Sequence, residues 1–317
     1  MSLCTDLLLL LAAVPIAALG GGAFLQGVVG IAAALRLPRL LVATTLAAFA
    51  TSSPELTVST LSAWAGRPGI GLGDAMGSNV VNLGMVLGSV LLFGPLTVDT
   101  REIRRDWLLA FAATVATLLL GLDGLLSRVD AALLLGAFAA WAVWLTRLAL
   151  RHRRRALRQA QDPAEGSTPL ATAIALLRLL AGLAALVLAG RLFVTGATGV
   201  ATALNVHAYV IGATLVSAGT SLPEWVTVLL ARRRGHDDVG VGTLIGSNLF
   251  NGLAVVGLAA AIRPIRNSLP EVGVAVACGL LTLLLILPSR GVLSRRRGVA
   301  LLLAYAGFIL ATGIVAT

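Results

Sequence analysis

The chain has 317 residues, 58% of them hydrophobic and 12% charged, with a mean hydropathy of +0.95. A soluble domain cannot hide that much apolar surface, so the composition selects a polytopic helical membrane protein, and the continuous, non-alternating apolar runs exclude an outer-membrane barrel. The net charge of +10 comes from arginines clustered between apolar runs, which is the pattern of membrane topology and not of a nucleic-acid surface.

A membrane helix needs roughly 20 apolar residues. Ten spans are predicted, at 5–35, 40–64, 70–93, 106–124, 129–150, 169–203, 207–231, 239–262, 270–288 and 297–316. The first run reaches Leu35, too long for a signal-peptide core, and lacks a basic leader, so it reads as a retained helix. The first and sixth spans exceed a perpendicular crossing and should be tilted or curved. Cys4 and Cys278 lie in apolar or terminal settings and suggest no disulfide framework.

The one polar, Pro/Gly/Ser-bearing linker falls at 151–168 and separates residues 1–150 from 169–317. Each side holds five spans. Five is odd, so the second set enters the membrane inverted, an arrangement common among secondary transporters. With the termini outside, 18 arginines fall in inner loops and 4 in outer loops, which puts both termini on the non-cytoplasmic side. All 24 basic residues are Arg; with the Ala, Leu and Gly bias this suggests a GC-rich bacterial genome and hence a bacterial inner membrane.

The second and third spans carry Thr51-Ser52-Ser53-Pro54-Glu55 and Gly77-Ser78-Asn79-Val80-Val81-Asn82. The seventh and eighth carry Thr220-Ser221-Leu222-Pro223-Glu224 and Gly246-Ser247-Asn248-Leu249-Phe250-Asn251, offset by 169 residues without a gap. Pro54 has no N–H, so the Ala50 carbonyl loses its helical bond where no water can replace it. A cation would satisfy the freed carbonyls and the hydroxyls of Thr51 and Ser52. Glu55 costs at least ~2.5–3.5 kcal/mol in hydrocarbon by analogy with other charged residues, and a paired cation offsets that cost. The same holds for Thr220, Ser221 and Glu224. Asp74, Ser78 and Asn82 recur every four residues on one helix face, which in the other half carries Thr243, Ser247 and Asn251. These are hard oxygen ligands, suited to sodium or calcium and not to copper or zinc. Two glutamates give a charge of −2, matching one divalent ion.

The pair of motifs, T-S-x-P-E and G-S-N-x-x-N, resembles the alpha repeats of the cation/calcium antiporter superfamily, the sodium/calcium exchangers and their prokaryotic relatives. The resemblance implies an all-α polytopic membrane protein of ten transmembrane helices in two inverted five-helix repeats. It implies Na+ and Ca2+ as transported ions, no organic cofactor and a monomer in the bilayer. It also implies alternating access by sliding of the first and sixth helices. The ligands it carries over are Thr51, Ser52, Glu55, Ser78, Asn82, Thr220, Ser221, Glu224, Ser247 and Asn251, with the backbone carbonyls of Ala48 and Ser217. Ala50 departs from the family's usual Gly. Asn251 stands where several relatives carry Asp, which argues against potassium cotransport. Asp74 either restores a charge one turn away or lies near a helix end facing water, a structural role being favoured over ion binding. A Ca2+/H+ exchanger is the alternative; a cation channel or a non-transporting cation-binding scaffold is the reading from another class. No nucleophile–base pair points to an enzyme.

Overall fold

The computed structural model describes residues 3–35, 37, 45, 47–66, 68–98, 100–159, 168–203, 211–266, 269–287 and 291–315. The starts of the expected second and seventh spans and most of the linker, at 38–44, 204–210 and 160–167, lie outside the described residues. Among the described residues the helices fall into ten consecutive segments. They are α1 (Leu3–Leu35), α2 with α3 (Ala48–Thr51, Ser53–Trp64), α4 with α5 (Pro68–Val80, Gly88–Leu92), α6 (Thr100–Leu120) and α7 (Arg128–Gln159). The second set is α8 (Pro169–Ala203), α9 with α10 (Ser217–Thr220, Leu222–Arg233), α11 with α12 (Asp237–Phe250, Val256–Ile262), α13 (Leu269–Leu285) and α14 (Arg295–Val315). Among the described residues, five stretches meet the length and apolarity of a membrane crossing outright: Pro68–Leu92, Arg128–Arg151, Pro169–Ala189, Asp237–Ile262 and Arg295–Val315. The fold is a helical membrane protein. Helix α7 runs past the expected membrane boundary to Gln159, because Ala, Leu, Arg and Gln are all good helix formers and nothing before that point breaks the helix.

The second and seventh spans are broken at the same place. Ser52 (φ −82°, ψ 8°) and Ser221 (φ −79°, ψ 6°) leave helical geometry, and Pro54 and Pro223 open the next helix, where a missing N–H is tolerated. Both rods end on a left-handed glycine, Gly66 at φ +80° and Gly235 at φ +70°, a conformation other residues reach only with strain. The third and eighth spans are continuous but widen into π-helical turns at Val81–Leu87 and Asn251–Val255. Such turns leave backbone groups out of register with the α-helical ladder and gather at functional sites.

Two short ribbons establish the inversion. The strand β1 (Leu96–Thr97), between the third and fourth spans, pairs antiparallel with β4 (Val292–Leu293), between the ninth and tenth. The strand β2 (Leu125–Leu126), between the fourth and fifth, pairs with β3 (Ile265–Arg266), between the eighth and ninth. A 3–4 loop therefore shares a membrane face with a 9–10 loop, the counterpart of 4–5. Parallel repeats would put it beside 8–9 instead. The N–H of Thr97 also donates to Asp237, which pairs with Arg232 at 3.1 Å, so the 7–8 loop lies on the β1 side.

Apolar packing forms two clusters. One joins the third to fifth and eighth to tenth spans around residues such as Leu83, Leu87, Leu134, Val255 and Phe308. The other gathers α1 and α8 against the broken rods, around Phe24, Leu25, Leu179 and Leu186. Lipid is as apolar as these side chains, so association depends on close fit. A Cβ at Gly182 would stand 2.3 Å from the Phe24 nitrogen, and one at Gly27 would stand 2.4 Å from the Leu179 nitrogen, so glycine is what lets α1 and α8 touch.

Candidate functional site

Each break in a rod ends one half-helix and starts another, and the glutamates sit in the first turn of the second piece: Glu55 in α3 and Glu224 in α10. A carboxylate is favoured there by the N-terminal end of the helix dipole. The π turns face them: Asn82 lies inside the first, and Asn251 opens the second. Close approach of these elements again needs a small residue, since a Cβ at Gly77 would meet the Ala213 carbonyl oxygen at 2.4 Å.

All twelve ligand candidates are buried, between 0 and 1% exposed: Ala48, Thr51, Ser52, Glu55, Ser78, Asn82, Ser217, Thr220, Ser221, Glu224, Ser247 and Asn251. Hydrogen bonds bring the two repeats into one cluster. The Ser247 hydroxyl donates to Glu224 Oε1 at 3.0 Å and that of Ser52 at 3.4 Å. Thr51 and Ser247 hydroxyls lie 3.4 Å apart, and their counterparts Thr220 and Ser78 lie 3.3 Å apart. Asn82 Nδ2 donates to Asn248 Oδ1 at 3.0 Å, and Asn248 Nδ2 donates to the Asn79 carbonyl at 3.1 Å, so Asn248 ties the third and eighth spans together.

Many oxygens in this cluster have no hydrogen-bond partner among the described residues. They are both oxygens of Glu55, Glu224 Oε2, Asp74 Oδ2, Asn82 Oδ1, Ser221 Oγ and Asn251 Oδ1. Buried polar atoms are nearly always satisfied, and buried carboxylates are costly when they are not. A converging set of unsatisfied hard oxygens is what a Na+ or Ca2+ ion coordinates.

Two expectations need correction. The Ala50 carbonyl released by Pro54 is not left for a cation, because the Ser53 hydroxyl donates to it at 2.7 Å. Asp74 does not face water. It is fully buried, and Thr220 Oγ1 donates to its Oδ1 at 2.9 Å. The four-residue spacing of Asp74, Ser78 and Asn82 was the signal that places it on the site's face. The carbonyls of Ala48 and Ser217 already accept bonds from within their own helices. Ala48 takes the Ser52 N–H and, at 3.3 Å, the Thr51 hydroxyl; Ser217 takes the Ser221 N–H, while the Thr220 hydroxyl, whose one proton goes to Asp74, lies 3.2 Å from it. An apolar cavity of about 340 Å³ reaches Ala48 and Gly246, but Phe49, Phe138, Trp141 and Phe250 line it, so it offers no path for a hydrated ion.

The family described as sodium/calcium exchanger protein matches residues 5–147 and 174–313. The inner membrane protein YrbG of Escherichia coli (strain K12) is 33% identical over 238 residues, covering 72% of this chain and 71% of that protein. The sodium/calcium exchanger MaX1 of Methanosarcina acetivorans is 26% identical over 328 residues, covering 92% and 93%. Solved structures of the sodium-calcium exchanger NCX_Mj, one soaked with Na+ and Sr2+ and one with Na+ and no Ca2+, superpose with TM-scores of 0.80 and 0.81. Both are 26% identical to this chain and cover 98% of it and 99% of theirs. With the family matching both repeats and the fold following along its whole length, the chain belongs to the sodium/calcium exchanger protein family.

Proposed function

We propose that the protein is a secondary active antiporter exchanging Na+ for Ca2+ by alternating access. Its ions bind at the midplane between the T-S-x-P-E and G-S-N-x-x-N elements of both repeats. The observation that carries this reading is the pair of fully buried glutamates, Glu55 and Glu224, in one cluster with unpartnered oxygens of Asn82, Ser221 and Asn251. Membrane burial of such groups is tolerated where they serve an ion pathway. The ligands are the twelve named above, with Ala48 and Ser217 acting through their carbonyls. Support for the moving part comes from the separate apolar cluster of α1 and α8, whose glycine contacts form a smooth seam beside the broken rods. Sliding that pair would open the site to one face and then the other, as inverted repeats permit. The arginine distribution supports a bacterial inner membrane with both termini outside the cytoplasm, and we take the division into halves to fall at 151–168. The monomer is the working unit, since each chain contributes both halves of the site.

The test is calcium uptake into proteoliposomes driven by an outward sodium gradient, for wild type, Glu55→Gln and Glu224→Gln. Sodium-driven uptake lost in either variant supports the reading. Uptake that ignores sodium and follows a proton gradient would replace it with Ca2+/H+ exchange. Uncoupled flux would indicate a channel, and calcium binding without flux a scaffold.

A further inference from the structure

We propose that Asp74 is a third carboxylate of the cation site, paired with Glu55, so that the two repeats contribute unequally and the site is built for a net charge of −3. The proposal rests on the antiporter reading above and adds a ligand to it.

The repeats differ at this position. Thr243 is the residue 169 places after Asp74; it carries no charge, and its hydroxyl donates to the Val239 carbonyl of its own helix at 2.8 Å. Asp74 instead projects across to the seventh span, where Thr220 Oγ1 donates to its Oδ1, and its Oδ2 is buried with no partner. Thr220 is itself one of the proposed ligands, so the Asp74 carboxylate shares a neighbour with any ion held there.

The consequence reaches Glu55. Around Glu224, the hydroxyls of Ser52 and Ser247 both donate to the carboxylate. Their counterparts are Ser221 and Ser78. Ser221 Oγ has no partner, Ser78 lies against Thr220, and Thr220 donates to Asp74. Glu55 is left with two bare oxygens. Two buried carboxylates with three unsatisfied oxygens between them offer a hard divalent cation more than one carboxylate already holding two hydroxyls. The charge balance agrees. Asn82 and Asn251 are neutral, so Asp74, Glu55 and Glu224 supply the site's charge, and a divalent and a monovalent cation together neutralise it.

The experiment is calorimetric titration of the purified, detergent-solubilised full chain with Ca2+ alone and with La3+ alone. Wild type, Asp74→Asn, Asp74→Thr (the residue of the other repeat) and Thr243→Val are compared. Wild type is expected to prefer La3+. Asp74→Asn and Asp74→Thr are expected to weaken Ca2+ roughly ten- to hundredfold, as loss of a supporting group at a metal site does, and to weaken La3+ more. Adding Asn251→Asp to Asp74→Asn should recover part of the La3+ preference by returning the charge, which a purely structural role for Asp74 would not do. Thr243→Val should leave both affinities in place. Wild-type exchange with Ca2+ and La3+ affinities unchanged in whichever Asp74 variant stays monodisperse would overturn the role of Asp74 alone. Wild type that neither binds Ca2+ nor exchanges it would overturn the antiporter reading itself.

Discussion

The half of the site around Glu224 is closed on itself, and the half around Glu55 is open. Ser52 and Ser247 hold Glu224, and Asn82 holds Asn248. Among the described residues these three bonds have no mirror image: both Glu55 oxygens, Ser221 Oγ and both side-chain polar atoms of Asn251 are without a hydrogen-bond partner. The sequence motifs are nearly identical, so the difference is one of conformation, biased by the residues that break the symmetry, Asp74 against Thr243 and Ser53 against Leu222. Under the proposed alternating access, one half would hold each arrangement at a time, and exchanging the two patterns of bonds would carry the candidate site to its other state.

Removing either glutamate should have the largest effect and should also show whether the halves are equivalent. Glu55→Gln and Glu224→Gln should each lower calcium affinity by ~2–5 kcal/mol, the usual cost of deleting one partner of a buried charge pair. If the open half holds the divalent ion, Glu55→Gln should be the worse of the two in a titration of calcium binding; equal losses would argue for a shared central ion.

The serines test the same asymmetry more finely. Ser247→Ala deletes a bond to a charged group and should cost about 1.5–3 kcal/mol of calcium affinity, while Ser78→Ala, whose hydroxyl lies 3.3 Å from that of Thr220, should cost about 0.5–1.5 kcal/mol. A reversed ranking, measured by radiolabelled calcium binding, would mean that the bonds around Glu224 are replaced when the ion arrives.

At the breaks the effect is expected on stability and not on calcium affinity. Ser53→Ala leaves the Ala50 carbonyl orphaned and should lower stability by about 1–3 kcal/mol. Leu222→Ser, which gives the second repeat the first one's residue, should change stability by less than that. A thermal-shift assay in detergent that found no loss in Ser53→Ala would mean water or lipid reaches the break.

Much of the fold was legible because hydrocarbon leaves little choice: long apolar runs become spans, and arginines mark where they end. The buried cluster that forms the candidate site was legible because Thr, Ser, Pro, Glu and Asn are expensive in that setting and recurred at one spacing. Other features left weaker signals. The burial of Asp74 depends on the tilt of α4 against the seventh span, and periodicity gives its face but not its depth. The Ser53 bond to Ala50 was open to inspection as a three-residue back-contact, yet the same residue could equally have faced an ion. The ribbons have no signature, since Leu96–Thr97 and Leu125–Leu126 are too short for any alternation to register.

Those ribbons bear on how the molecule is made. Each joins a loop of the first half to a loop translated well over a hundred residues later, Leu126 to Ile265 and Leu96 to Leu293. While the second half is still on the ribosome, the first half sits in the bilayer with both strand edges unpaired and with its buried carboxylates facing no partner helix. It can only be completed from the outside in, as the eighth to tenth spans arrive to close each seam. The protein is therefore stitched across both ribbons late in synthesis, and a chain halted between Thr220 and Asn251 would display an unfinished candidate site to the insertion and quality-control machinery.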